Sequence, residues 1–95
     1  MKVYHAWITG KVQGVFFRDS TRAQAQSLGL VGWVRNVSDG RVECMFAGDD
    51  ASTQSMLLWL QQGPDAARVD DIQYQIETQD LLFQDFTVRG DKFCK

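Results

Sequence analysis

Residues 32–47 read Gly32-Trp33-Val34-Arg35-Asn36-Val37-Ser38-Asp39-Gly40-Arg41-Val42-Glu43-Cys44-Met45-Phe46-Ala47. Two runs rich in β-branched and aromatic residues, 32–37 and 41–47, flank Ser38-Asp39-Gly40, a tight-turn signal, so the segment predicts an antiparallel hairpin. In its second arm Val42, Cys44 and Phe46 recur at every second position, which places those three on the inner face of a sheet.

Working outward, each arm of the hairpin is joined to a helix and then to a strand. Upstream, 17–28 turns to Ala, Gln, Arg and Ser, with Phe17, Thr21, Ala25 and Leu28 at helical spacing and Gly29 suited to the position just past the end. Before it, 3–9 reads as a strand with Tyr4, Ala6 and Ile8 inward, His5 and Thr9 on the other face, and Trp7 also outside. Downstream, Asp49, Asp50 and Ser52 are capping candidates for a helix over about 51–62, with Met56, Leu57 and Leu60 on one face, stopped by Gly63-Pro64. A strand over 69–77 follows, with Ile72, Tyr74 and Ile76 inward, and a short apolar piece at 83–88 adds an edge strand. The order β-α-β-β-α-β predicts an α+β, ferredoxin-like split βαβ sandwich: an antiparallel sheet, two helices on one face, and a short fifth strand. The other face is expected to meet water, with Trp7, Arg35, Glu43 and the Gln residues on it.

Composition bounds the function. Ninety-five residues, 44% hydrophobic and 23% charged, support one core, so a single domain is expected over 1–95, with 90–95 frayed. The longest apolar run, Met56 to Leu60, is far shorter than the roughly 20 residues of a spanning helix, so no membrane partner is expected. The opening residues lack the three regions of a secretory signal, and the expected location is the cytoplasm. Residues 1–41 carry six Lys/Arg against two Asp, +4, while 42–95 carry four against ten Asp/Glu, −6. That asymmetry directs the search for an anion site to the first half, and a small anion rather than nucleic acid fits a field without a basic stripe. Cys44 and Cys94 match no metal or redox spacing and are read as reduced thiols, with a tail-to-sheet disulfide as the alternative. His5 has no spaced metal partner and is read as a solvated surface residue.

Gly10-Lys11-Val12-Gln13-Gly14-Val15-Phe16-Phe17-Arg18 joins the first strand to the first helix. Such a loop can curl successive backbone amides around one anion, with Gly14 supplying unusual dihedrals and the helix N-terminus partial positive charge. Arg18 adds a rigid fork of donors matching two phosphate oxygens. An ordinary loop before an exposed arginine is the competing reading, and the pattern is neither a Walker A nor a Rossmann motif. Asn36 falls on the inner face, two residues after Val34, where the sheet brings it toward the mouth of this loop. A buried amide needs partners, so Asn36 either orients a water or ties down the turn at 38–40.

Two motifs carry a resemblance. The run from Ile8 to Arg18 resembles the phosphate-loop signature of acylphosphatases, and Gly32-Trp33-Val34-Arg35-Asn36, with Gly40, Val42 and Gly48 following, resembles that family's other signature. Leu28-Gly29-Leu30, Gly63-Pro64 and Ala67-Arg68-Val69 agree as well, and the similarity runs from residue 2 to about 89. The chain looks like a small, common-type bacterial acylphosphatase; its tail, Gly90 to Lys95, departs from the pattern.

The resemblance implies hydrolysis of the carboxyl–phosphate bond of small acyl phosphates by a monomer that needs no metal or cofactor and forms no phosphoenzyme. Arg18 and Asn36 are then the catalytic side chains, Arg18 holding the phosphate and Asn36 positioning the attacking water. The backbone amides of Gln13, Gly14, Val15, Phe16, Phe17 and Arg18 complete the cradle, and inorganic phosphate, the product, is a competitive inhibitor. Two alternatives stand beside this. One is a non-catalytic module binding carbamoyl or acyl phosphate, as at the front of larger hydrogenase-maturation proteins, against which the length of the chain speaks. The other is RNA binding on the open sheet face, against which the missing aromatic run in 41–47 and the charge balance speak.

Overall fold

A computed structural model describes residues 2–14, 16–78 and 85–89. Its elements run β1 (Lys2–Lys11), α1 (Phe17–Ser27), β2 (Val31–Asn36), β3 (Val42–Ala47), α2 (Asp50–Leu60), β4 (Arg68–Thr78) and β5 (Phe86–Val88). One sheet has the order β4-β1-β3-β2-β5, antiparallel at every pairing except the last, where β5 runs parallel to β2. This is the expected ferredoxin-like α+β fold with a fifth strand added at its edge. The four main strands pair antiparallel as expected; the direction of β5 could not be read from the sequence, because three residues carry no pattern that fixes a partner or direction.

Alternation decides what each strand buries. Tyr4, Ala6 and Ile8 of β1 and Val42, Cys44 and Phe46 of β3 are at most 3% exposed, and they join Phe17, Ala25, Met56, Leu60 and Phe86 in one core. Each large apolar side chain in that core contributes roughly 1.5–3 kcal/mol of transfer free energy. Gly32 is required where it stands: its φ is 143°, and a β-carbon there would collide with the Met45 carbonyl of the paired strand. The hairpin turn is closed by Val37 N–H to Arg41 O (2.8 Å) and Gly40 N–H to Val37 O (3.0 Å).

The two helices begin differently. Asp49 caps α2, its Oδ1 accepting from Ser52 N–H at 2.8 Å, and this bond holds its carboxyl below the usual carboxylate range. Phe16 stands at the corresponding position of α1 with φ 61° and ψ 25°, and no side chain caps that helix. The first amides of α1 therefore point outward without an intrahelical carbonyl.

Two expectations about surfaces are corrected. Tyr74 and Ile76 are each 49% exposed, not core residues, because β4 is an edge strand with a neighbour on one side only; Ile72 does pack against the core. The face of the sheet away from the helices is not simply hydrated either. His5 is 16% exposed at its side chain, and its Nε2–H donates to Glu43 Oε2 at 2.6 Å. Arg35 donates to the other oxygen of Glu43 from Nε (2.9 Å) and Nη2 (2.8 Å). Trp33, also buried, has the guanidinium groups of Arg35 and Arg89 over its ring, each 4.9 Å from the ring centre. These partners come from three different strands and the edge, a long-range convergence that local alternation does not encode. No helix among the described residues is long and apolar enough to cross a membrane.

Candidate active site

Strand β1 and helix α1 are joined by the loop at 12–16, which turns back over the end of the sheet where β2 finishes. Gly14 (φ 76°) and Phe16 (φ 61°) both take left-handed backbone. For Gly14 this costs nothing in side-chain sterics, whereas Phe16 carries a strain of about 1–2 kcal/mol. Left-handed backbone in a loop entering a helix can turn N–H groups to one side, an arrangement that binds anions. The loop is held against the hairpin by Gln13, whose Nε2 donates to Val37 O (2.8 Å) and Arg41 O (3.0 Å). Val12 and Phe17 anchor its two ends in the core at 1% exposure each.

A cleft of about 320 Å³ opens at this corner, lined by Val12, Gly14, Phe16, Phe17, Arg18, Asp19, Asn36 and Val88. Arg18 comes from the first turn of α1, and Asn36 is the last residue of β2, paired with Val42 of β3. Asn36 is 7% exposed, and its Oδ1 accepts no hydrogen bond among the described residues. Buried carbonyl oxygens are nearly always paired, and an unpaired one costs about 1–3 kcal/mol. Of the two roles read for Asn36, tying down the turn falls to other residues: Gln13, and Asp39, whose carboxylate accepts from the backbone N–H and Nε of Arg41. The first of those bonds to Asp39 also lowers its pKa. Cys44 offers no nucleophile, since burial, and secondarily the charge of Glu43, pushes its thiol far up.

A sequence model of the acylphosphatase family matches residues 4–88. The chain belongs to the acylphosphatase family. A curated acylphosphatase from Gloeobacter violaceus is 51% identical over 78 residues, covering 82% of this chain and 84% of that protein. The crystal structure of acylphosphatase from Bacillus subtilis superposes with a TM-score of 0.90 at 31% identity, over 94% of this chain and 99% of that one. The T. kodakarensis HypF structure is similar too, with a TM-score of 0.83 and 27% identity, over 95% of this chain but 12% of HypF. The enzyme class expected from the two signatures, acylphosphatase, agrees with these relatives.

The fold brings together most of what the acylphosphatase signatures singled out. Arg18, Asn36, Gly14, Phe16 and Phe17 line one cleft, although they come from two motifs well separated in the chain. Gln13 does not line it; its side chain holds the loop from behind. Val15 and the tail from Gly90, with Cys94, lie outside the described residues. Reading the residues missed Val12, Asp19 and Val88 as part of the cleft. Asp19 was discoverable as the neighbour of Arg18 on the first helical turn, whereas Val88 depends on the unforeseen pairing of β5 with β2.

Proposed function

We propose that the cleft hydrolyses the carboxyl–phosphate bond of small acyl phosphates by direct attack of water on phosphorus. The observation that carries this reading is the buried, unpaired Asn36 Oδ1 sharing a cleft with Arg18. A phosphoryl group in the loop would take hydrogen bonds from the amides of Gln13 to Arg18 and a two-pronged contact from the Arg18 guanidinium. Asn36 Oδ1 would accept a hydrogen bond from the attacking water and so hold the water's lone pair toward phosphorus. The P–O bond to water forms as the P–O bond to the acyl oxygen breaks. The products are a carboxylate, inorganic phosphate and one proton released to solvent. Because a carboxylate leaves without protonation, no general acid is demanded, and positioning with electrostatic stabilisation suffices. Each preorganised donor aimed at the developing charge is worth about 3 kcal/mol.

On this reading no metal, cofactor or second chain takes part, and inorganic phosphate competes because it fits the same cradle. The test is hydrolysis of benzoyl phosphate in EDTA, with phosphate as competitor, for the native protein, Arg18→Ala and Asn36→Ala. Metal-independent turnover inhibited by phosphate, weakened in binding and rate by the first substitution and in rate by the second, is expected. The likeness to HypF favours one other reading, a module that binds such a group without turning it over. Phosphate binding with no hydrolysis would establish that instead.

A further inference from the structure

The cleft has a second half that holding a phosphate does not explain. Its polar lining is Arg18, Asp19 and Asn36, while its apolar lining is Val12, Phe16, Phe17 and Val88. Val12 and Phe17 are 1% exposed and offer almost no surface to a ligand, but Phe16 is 79% exposed and Val88 is partly so. Phe16 is thus the most exposed large hydrophobic residue among those described. A single exposed ring needs no explanation by itself. This one sits on the rim of the cleft and on left-handed backbone that glycine or asparagine would occupy with less strain. The aromatic ring is kept there at a cost.

We propose that Phe16, with Val88, is the wall against which the acyl half of the substrate packs. Asp19 on the same rim turns away acyl groups that carry a second negative charge. The preferred substrates are therefore acyl phosphates with a flat, uncharged, apolar acyl group. This rests on the acyl-phosphate reading above and specifies the substrate class within it. At about 320 Å³ the cleft has room for a small acyl phosphate, and with the phosphoryl group at Arg18 the acyl group reaches the exposed apolar lining, Phe16 and Val88. An indifferent aromatic face suits a planar acyl group through area and stacking. The Asp19 carboxylate is 64% exposed and, among the described residues, pairs with Arg22 at 3.8 Å, a long contact open to water, so its charge is little neutralised. On the rim of the same cleft, that charge repels a like one.

The experiment compares kcat/KM for benzoyl, acetyl and succinyl phosphate, reading ratios so that any change in the phosphate cradle cancels. The benzoyl-to-acetyl ratio is expected to fall about tenfold in Phe16→Gly, less in Phe16→Leu, and about threefold in Val88→Ala, with Phe16→Tyr restoring it. Asp19→Asn is expected to raise the succinyl-to-acetyl ratio about threefold. Ratios unmoved by all of these substitutions, in an enzyme that hydrolyses the substrates, overturn the acyl wall and leave the acylphosphatase reading standing. A native protein that hydrolyses none of the three overturns both.

Discussion

Arg35 and Asn36 are adjacent on β2 and point to opposite faces of the sheet, where buried polarity is handled in opposite ways. Behind the sheet, Arg35, Glu43 and His5 satisfy one another across three strands, with Trp33 closing over the cluster. In front, Asn36 is buried to a similar degree as Glu43 and yet leaves its oxygen unpaired, beside a loop with strained backbone and a helix without a cap. Desolvating a polar group is costly unless it is paired, so the rear cluster is recovered as stability. The front acceptor is not, and its cost becomes available to a ligand that supplies the missing donor. The difference separates residues that hold this fold from residues held ready by it.

That separation can be broken by substitution, and the largest effect is expected at Arg18. Arg18→Ala should lower kcat/KM for benzoyl phosphate by about 10³ and weaken phosphate inhibition in parallel, because it removes a charged fork of donors. Next comes Asn36→Ala, with kcat lower by about 10² and the phosphate inhibition constant within about threefold of native. Its melting temperature should not fall by more than a few degrees, since no hydrogen bond is lost at Oδ1. A melt that drops by about 10 °C would show that Asn36 belongs with the structural residues after all.

Most of the frame was legible because local pattern and burial agree there. Ser38-Asp39-Gly40 marks a turn, Phe17, Thr21 and Ala25 a helical stripe, and Tyr4, Ala6 and Ile8 a strand face, and each is where its spacing predicts. The convergence of Arg18 and Asn36 was legible for a further reason: strand order fixes which loop lies over the end of β2. What escaped depends on contacts distant in the chain. His5 finds Glu43 38 residues away, and Trp33 is buried on the supposedly open face by arginines from β2 and from just past β5. The conformation of Phe16 escaped too, because nothing in its side chain favours positive φ; surrounding structure imposes it.

A smaller effect, in stability rather than rate, sharpens the rear half of the comparison. Glu43→Ala strips the shared partner from Arg35 and His5, and should cost about 2 kcal/mol, or roughly 10 °C in melting temperature. The figure is below that for fully buried pairs because His5 and Arg35 keep 16% and 21% of their side-chain surface in water. Measured well below the melt, kcat/KM should stay within about threefold of native, the reverse of the Asn36 signature. A loss near 10² would mean that the rear cluster positions Asn36 through the strand they share.

The smallest expected effect is on acid stability. Burial alone would raise the pKa of Glu43, but hydrogen bonds from His5 and Arg35, with their charges, outweigh it and leave the carboxyl below its ordinary value of 4.5. A carboxylate whose pKa is depressed by folding stabilises the native state fully above the unfolded value. That contribution is lost as pH falls through the lower, folded one. Urea midpoints for Glu43→Gln should therefore lie below native at neutral pH and converge on it as pH drops below about 4.5, since protonation turns the native side chain into a neutral group much like the amide. Asn36→Ala should show no such convergence, because it carries no titrating group. A constant gap between native and Glu43→Gln across the acid range would mean that the cluster stabilises by shape and packing around Trp33, with its charge making no net contribution.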